Sequence, residues 1–431
     1  MAQGKIILQI ALDFIDIDRA LAMAKEAVAG GVDWIEVGTP LIKAVGLESV
    51  RTLRREFPQK FIVADMKVMD AGRTEVECAA KSGANLVTVL AAASDRTIKE
   101  CVEAAGEYGV KIACDLINTP NPDVRAKELE VIGVDYIDVH TPIDAQMEGD
   151  SPFETLKKVR GATSLPICVA GGVSLSNAEE VIALGGNVLI VGGAITKSKD
   201  AKRAAEEFVG VISGKTAPKT TDFKRANEDN ILDILSQVSV ANVSDAMFHG
   251  GVLEGIKPLV PCMRCAGRVL TVRTAPGDWA KPVIAIDEAN EGDILVIDAG
   301  GSTPAIWGEL ATTSAISKKL GGTIIFGAIR DTNENRELGY PLFSTKTCPN
   351  AGEPKGYGEI GSRLLIKGVH IKTGDYAIAD NDGVAIIPAE NAVNITNKAM
   401  SILENENRLR AEIQIGSTLA TVAKLTTWEK R

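Results

Sequence analysis

A closed (β/α)8 barrel followed by a mixed α/β domain is the architecture that this 431-residue chain predicts. Three observations lead there. Eight short apolar runs rich in β-branched residues recur through the first half at intervals of roughly 26 residues, the length of one strand, one helix and two loops. Amphipathic helical patterns lie between them. Nearly every run ends in a charged residue or a glycine, which is what the C-terminal face of a barrel presents.

The runs are Ile6–Leu12, Trp34–Val37, Phe61–Ala64, Leu86–Leu90, Lys111–Leu116, Tyr136–Val139, Pro166–Val169 and Val188–Val191. They are continuous and do not alternate with polar residues, as strands of a parallel sheet do when both faces are buried. Helices are expected at Asp18–Ala29, Leu47–Glu56 and Asn177–Leu184, among others. An open doubly wound sheet is the competing topology. The barrel occupies residues 1–213, a polar stretch at 214–224 without periodicity reads as a linker, and residues 225–431 form the second domain.

That second half has a helical segment at Ile231–Gln237, then the apolar run Val238–Val243. Strand-like runs follow at Gly267–Thr274, Asp293–Ile297, Gly322–Phe326 and Ala377–Ile387. Thr312–Leu320 and Ala389–Glu412 read as helices, the latter with Ile395, Met400 and Leu403 as core positions. Gly383 after Asp380 and Asp382 marks a hairpin turn.

Bulk properties narrow the function classes. A net charge of −10 argues against a general nucleic-acid or anionic-membrane binder. No stretch approaches the roughly 18 apolar residues of a membrane span. The N-terminus reads as a first buried strand and not as a signal peptide. Seven scattered cysteines suit reduced thiols, and a cytoplasmic location is expected. Cys262 and Cys265 form a single C-x-x-C and read as ordinary cysteines.

The chemistry concentrates at the run ends. Asp65, Lys67 and Asp70 lie within six residues; along an extended strand Asp65 and Lys67 share a face. Asp13, Glu36, Asp115 and His140 end other runs. Charged groups at so many strand ends are hard to explain by stability, because burying them unpaired is costly. Glu36 and Asp65, on neighbouring strands, could hold Mg2+ through oxygen ligands. A lysine beside such a carboxylate is equipment for stabilising an enolate-like anion. His140 could supply or remove a proton. The pairs Gly171-Gly172 and Gly192-Gly193 follow the last two runs, where barrels often bind phosphate. In the second half, Glu309 and the pair Arg330-Asp331 are the candidates, an arginine fork for a carboxylate and an acid for a metal.

These residues carry a resemblance. Ala11-Leu12-Asp13, Glu36 to Pro40, Asp65 to Gly72, Asp138 to Thr141 and Val169 to Gly172 look like the orotidine-monophosphate-decarboxylase superfamily. Within it they most resemble the 3-hexulose-6-phosphate synthases, in order over residues 1–212. The resemblance implies reversible aldol addition of D-ribulose 5-phosphate to formaldehyde through a Mg2+- or Mn2+-stabilised enediolate. It implies a metal held by Glu36 and Asp65, proton handling by Lys67 and His140, and an Asp70 that reaches a partner subunit's site in a dimer. The related 3-keto-L-gulonate-6-phosphate decarboxylases share the motif. They typically carry glutamate, arginine, threonine and arginine where this chain has Asp115, Ile143, Ala170 and Gly193. All four departures agree with the synthases. Residues about 225–425 resemble the RraA-like family through Ser244-Asp245-Ala246, Gly308 to Thr312, Gly327 to Asp331 and Gly374 to Val384. That family contains ribonuclease regulators and metal-dependent oxoacid aldolases, and its members are commonly trimers. Glu309 stands where the aldolases typically have aspartate.

Overall fold

The computed structural model of the chain describes residues 5–215 and 225–423. Most of the expected linker, 216–224, lies outside the described residues. The chain divides into two compact units.

The first is a closed eight-stranded parallel barrel. Its strands are β1 (Ile7–Leu12), β2 (Trp34–Val37), β3 (Phe61–Val68), β4 (Leu86–Leu90), β5 (Lys111–Asp115), β6 (Tyr136–His140), β7 (Ile167–Ala170) and β8 (Val188–Val191). β8 returns to pair with β1 and closes it. Leu8, Ile10 and Leu12 of β1 pack outward in the core that holds Met23, Ala24 and Phe208 of the surrounding helices. Ile7 and Ala11 point the other way, into the barrel, beside Cys168 and Ile190. This alternation explains the unbroken apolar runs: both faces leave water, at roughly 1.5–3 kcal/mol per large side chain.

The barrel's N-terminal end is plugged by aromatics. Trp34 stacks on Phe61 with ring centroids 4.2 Å apart and meets Tyr136 edge-on at 5.7 Å. Each is the first residue of its strand, so apolar bulk sits at one end and polar residues collect at the other. The helices are punctuated by their own sequence. Asp16 caps Ile17–Ala29 by accepting from the Arg19 N–H at 2.9 Å, and Ala20, Met23, Ala24 and Ala27 give that helix its buried stripe.

Two sequence expectations are revised in the barrel. β3 runs four residues further than the apolar run, through Asp65 and Lys67. It is also irregular: its pairing with β4 slips between Ala64 and Val68, and Lys67 adopts a left-handed φ of 47°. Extra pairing is carried by backbone, which an apolar count does not see. The second revision concerns the chain's end. From Glu404 onward it groups with the barrel and not with the second unit. There the Arg408 guanidinium bonds Glu26 at 2.7 Å and Glu412 at 2.9 Å.

The second unit is built on a mixed sheet. Its strands are β9 (Lys257–Pro258), β10 (Cys265–Arg273), β11 (Ile294–Asp298), β12 (Ala305–Trp307), β13 (Gly322–Ile329), β14 (Leu342–Thr347), β15 (Glu359–Ile360), β16 (Leu364–Ile366), β17 (Val369–Ile371), β18 (Tyr376–Ala379) and β19 (Val384–Ile387). The order β19-β18-β10-β11-β13-β14-β9 has a parallel centre and antiparallel edges. The run Ala377–Ile387 is therefore two strands, turned at Asp380–Gly383 as the glycine signalled. Val240–Ala246 is helical, capped by Ser239. Thr312–Leu320 becomes a helix over Glu309–Ser317, and the last long helix spans Ala392–Gln414. Ile395 and Met400 are buried, while Leu403 is half-buried. Among the described residues, no helix is long and apolar enough to cross a membrane.

Candidate active site

The barrel's strand ends bring the expected charges together. Lys67 Nζ lies 3.1 Å from Asp65 Oδ1 and 2.9 Å from Asp115 Oδ2. The same Asp115 oxygen lies 3.0 Å from His140 Nδ1. Asp115 Oδ1 accepts the Ile117 N–H at 2.8 Å, so this fully buried carboxylate is held at both oxygens. Because Asp115 is an acceptor, the neutral imidazole carries its proton on Nδ1 and leaves Nε2 free to act. Asp65 is held just as firmly. Thr88 donates to its Oδ1 at 2.7 Å and Thr39 to its Oδ2 at 2.6 Å. The irregular stretch of β3 matters here: Thr88 Oγ1 also accepts the Lys67 N–H at 3.1 Å, which fixes the left-handed lysine.

Electrostatics divide the acids into two groups. Burial pushes the Glu36 carboxyl well up, and the charges of Asp65 and Asp13 push it further; Gln9 opposes this by donating to Glu36 Oε2 at 2.5 Å. Burial and Asp65 likewise raise Asp13. Asp115 behaves oppositely. Burial raises it, but the His140 hydrogen bond and the positive charges of His140 and Lys67 outweigh burial and hold it below the ordinary value. Burial lowers Lys67, yet Asp65 and Asp115 outweigh it and keep the ammonium protonated. Burial lowers His140 too, and the Asp115 hydrogen bond and charge more than reverse that. Asp138, two residues before His140 on β6, is pushed up to about 8 by burial and by Asp115. Its Oδ1 is buried without a partner.

Two sets of residues could be weighed for a cation. Among the described residues, one group of three ligating side chains has its atoms within 4.8 Å of one another: Asp115, Asp138 and His140. That is not the expected pair. A dication there would contend with the Lys67 ammonium already seated on Asp115, so we read this group as charge relay. Asp13, Glu36 and Asp65 are all hard oxygen donors but do not form such a group of converging ligand atoms; burial and then their mutual repulsion raise Glu36 and Asp13, and a divalent cation would relieve that repulsion.

The other expected residues fall as follows. Gly171 and Gly172 have φ of 87° and 80°, and a side chain at Gly171 would collide with the Thr141 carbonyl and Gln146. Gly192 lies beside Asp13, whose Oδ2 would be 4.0 Å from a Cβ built there. Asp70 is exposed past the end of β3, beside exposed Met69. Gln9, Thr88 and Gln146 were not singled out from sequence, and Thr39 and Asp138 stood only within quoted motifs, without a role of their own. The readable signal was a polar residue before a strand-end charge on the same face: Gln9 four positions before Asp13, and Asp138 two before His140.

In the second unit, Arg330 Nε lies 3.5 Å from Asp331 Oδ2, and that oxygen accepts the Glu309 backbone N–H at 3.1 Å. Asp331 thus anchors the start of the helix Glu309–Ser317, and a side chain at Gly308 would strike it. The Glu309 carboxylate accepts from Thr313 Oγ1 at 2.8 Å. Cys262 is exposed and Cys265 buried, and among the described residues neither joins a ligating cluster.

Fold and site together define a (β/α)8 enzyme whose strand ends hold a carboxylate–lysine–histidine network. The family described as orotidine 5'-phosphate decarboxylase / HUMPS matches residues 7–208, and the family described as RraA-like, Aldolase/RraA, matches residues 240–386. The 3-hexulose-6-phosphate synthase of Bacillus subtilis is 40% identical over 206 residues, 48% of this chain and 98% of the relative. That of Methylomonas aminofaciens is 42% identical over 204 residues, 47% of this chain and 97% of the relative. The crystal structure of the 3-hexulose-6-phosphate synthase from Salmonella typhimurium is 34% identical, covering 49% of this chain and 100% of that one, with a TM-score of 0.47. Through its barrel the chain belongs to the orotidine 5'-phosphate decarboxylase / HUMPS family, here fused to an RraA-like domain.

Proposed function

We propose that the barrel is a 3-hexulose-6-phosphate synthase, joining D-ribulose 5-phosphate to formaldehyde in a reversible aldol addition. The observation that carries this is the shared Asp115 oxygen, which links the Lys67 ammonium to the His140 imidazole beside Asp65. In the forward direction His140 Nε2 takes the proton from C1 of the sugar phosphate. Asp115 stabilises the imidazolium that results. C1 of the enediolate attacks the formaldehyde carbon, one C–C bond forms as the sugar's C2 carbonyl is restored, and the formaldehyde oxygen, now an alkoxide, receives a proton. Lys67 offers its ammonium to the oxygen on which charge develops. A Mg2+ or Mn2+ ion held by Glu36 and Asp65 would supply Lewis-acid stabilisation of that negative charge. Gly171, Gly172, Gly192 and Gly193 leave room for the phosphate, and Asp13 faces the same rim.

Decarboxylation of 3-keto-L-gulonate 6-phosphate is the alternative for the same motif. Ile143 stands where that chemistry calls for an arginine near the proton donor, and Asp115, Ala170 and Gly193 depart from it as well. The test is formaldehyde consumption by purified protein with ribulose 5-phosphate and Mg2+. Lys67→Ala should lower kcat/KM at least a hundredfold. No consumption by the unaltered protein would sink the proposal.

For the second domain we propose metal-dependent oxoacid aldolase or decarboxylase chemistry at Glu309, Arg330 and Asp331. Oxaloacetate turnover with Mg2+, lost in Asp331→Ala, is the expected result. Absence of turnover would leave a regulatory or scaffolding domain. Asp70 and Met69, exposed together at the end of β3, suit a barrel dimer in which Asp70 faces the partner's site.

A further inference from the structure

Gly193 opens the short helix Gly193–Thr196, and Lys197 follows it directly. Side chains on a helix tilt towards its N-terminus, and residues four apart share a face. Lys197 accordingly folds back along the helix over Gly193. A Cβ built at Gly193 would lie 3.5 Å from both Cδ and Cε of Lys197 and 3.8 Å from its Nζ. The missing side chain at 193 is therefore the groove that the lysine stem uses. The neighbouring Gly192 borders Asp13. The ammonium thus comes back to the rim of the barrel where Gly192 and Gly193 make the turn. Among its contacts is an ion pair with Glu404 Oε2 at 3.5 Å, longer than a charge-assisted hydrogen bond. The Glu404 side chain is only 9% exposed, so it is a fixed carboxylate and not a waving surface acid.

We propose that Lys197 is a binding residue for the substrate's phosphate, supplying from one helical turn later the positive charge that position 193 does not carry, with Glu404 as its resting counter-ion. This rests on the sugar-phosphate reading of the barrel given above. Lys197 touches the phosphate and not the reacting carbons, so it acts on binding and not on the chemical step.

The experiment uses the full-length protein with Mg2+ and three variants. In Lys197→Met the KM for ribulose 5-phosphate should rise about tenfold, the expected loss of one charge-assisted contact. Inhibition by inorganic phosphate should weaken by the same factor. The KM for formaldehyde and kcat should stay within about twofold. Lys197→Arg should restore most of the affinity. Glu404→Gln should strengthen phosphate inhibition severalfold, because the competing carboxylate is gone; no change there overturns the counter-ion assignment. A Lys197→Met protein that is folded by circular dichroism and keeps both its ribulose 5-phosphate KM and its phosphate inhibition overturns the proposal. Calorimetric titration with inorganic phosphate separates the two readings. If the unaltered protein consumes no formaldehyde, the synthase reading fails. Phosphate binding that Lys197→Met abolishes then still supports the lysine's role, and binding that it leaves intact still overturns it.

Discussion

Asp115 is the residue on which the barrel's chemistry turns. It has one oxygen for two cationic partners, Lys67 and His140, and the other for a backbone N–H. Its negative charge sustains His140 in the protonated form to higher pH than a free imidazole, whose ordinary value is 6.5. A base must be neutral to act. Activity should therefore rise with pH along an acid limb centred above 6.5, and Asp115→Asn should move that limb down. Only three histidines are present, so the His140 ring can be followed by NMR. A His140 titration midpoint at or below 6.5 would contradict the geometry. Gln9 invites a second test. It is a buried neutral donor to Glu36, and Gln9→Met removes that donor at similar volume. Weaker Mn2+ binding, with the melting temperature little changed, is the expected outcome.

At the scale of elements, the base and the rim of the barrel do different work. Trp34, Phe61 and Tyr136 begin their strands and fill the N-terminal end. Trp34→Ala should cost about 3 kcal/mol in unfolding free energy through the cavity it leaves. The KM for ribulose 5-phosphate should be unaffected, and a large rise in KM would show that base and rim are coupled. Strand position was largely legible in the residues. Three of the eight barrel strands coincide with their apolar runs, Trp34–Val37, Leu86–Leu90 and Val188–Val191, because parallel strands buried on both faces announce themselves by composition alone. β9, β12 and β14 to β17 went unread. All but β14 have two or three residues, and β14 ends in the polar stretch Ser344–Thr347, so none makes a long apolar run. The left-handed lysine in β3 was also out of reach, since it is imposed by the slip against β4 and by Thr88.

We propose a dimeric barrel, through Asp70, joined to a second domain that its family resemblance would make a trimer. Closed symmetry would then require an assembly larger than either. Light scattering should report a mass above that of a dimer, and a monomer would contradict the role given to Asp70. The chain's end bears on barrel stability. Arg408 is largely buried and bonds both Glu26 and Glu412. Arg408→Ala should lower the barrel's unfolding free energy by about 2 kcal/mol, read as an earlier denaturant midpoint. An unchanged midpoint would mean that this end merely rests on the barrel.

The amino-acid order by itself determined the barrel, the second domain and the ring of charges at the strand ends. Those follow from periodicity and from the high cost of burying a charge without purpose. What only the tertiary structure decided is who meets whom. Asp115 could have partnered anything, and folding set it between Lys67, from 48 positions earlier, and His140, from 25 positions later. Likewise Gln9 found Glu36, Thr88 found Asp65, and the end of the chain joined the barrel and not its own domain. The reason is physical: periodicity says which face a side chain takes, but partners across a barrel are chosen by strand register and by the twist that closes it.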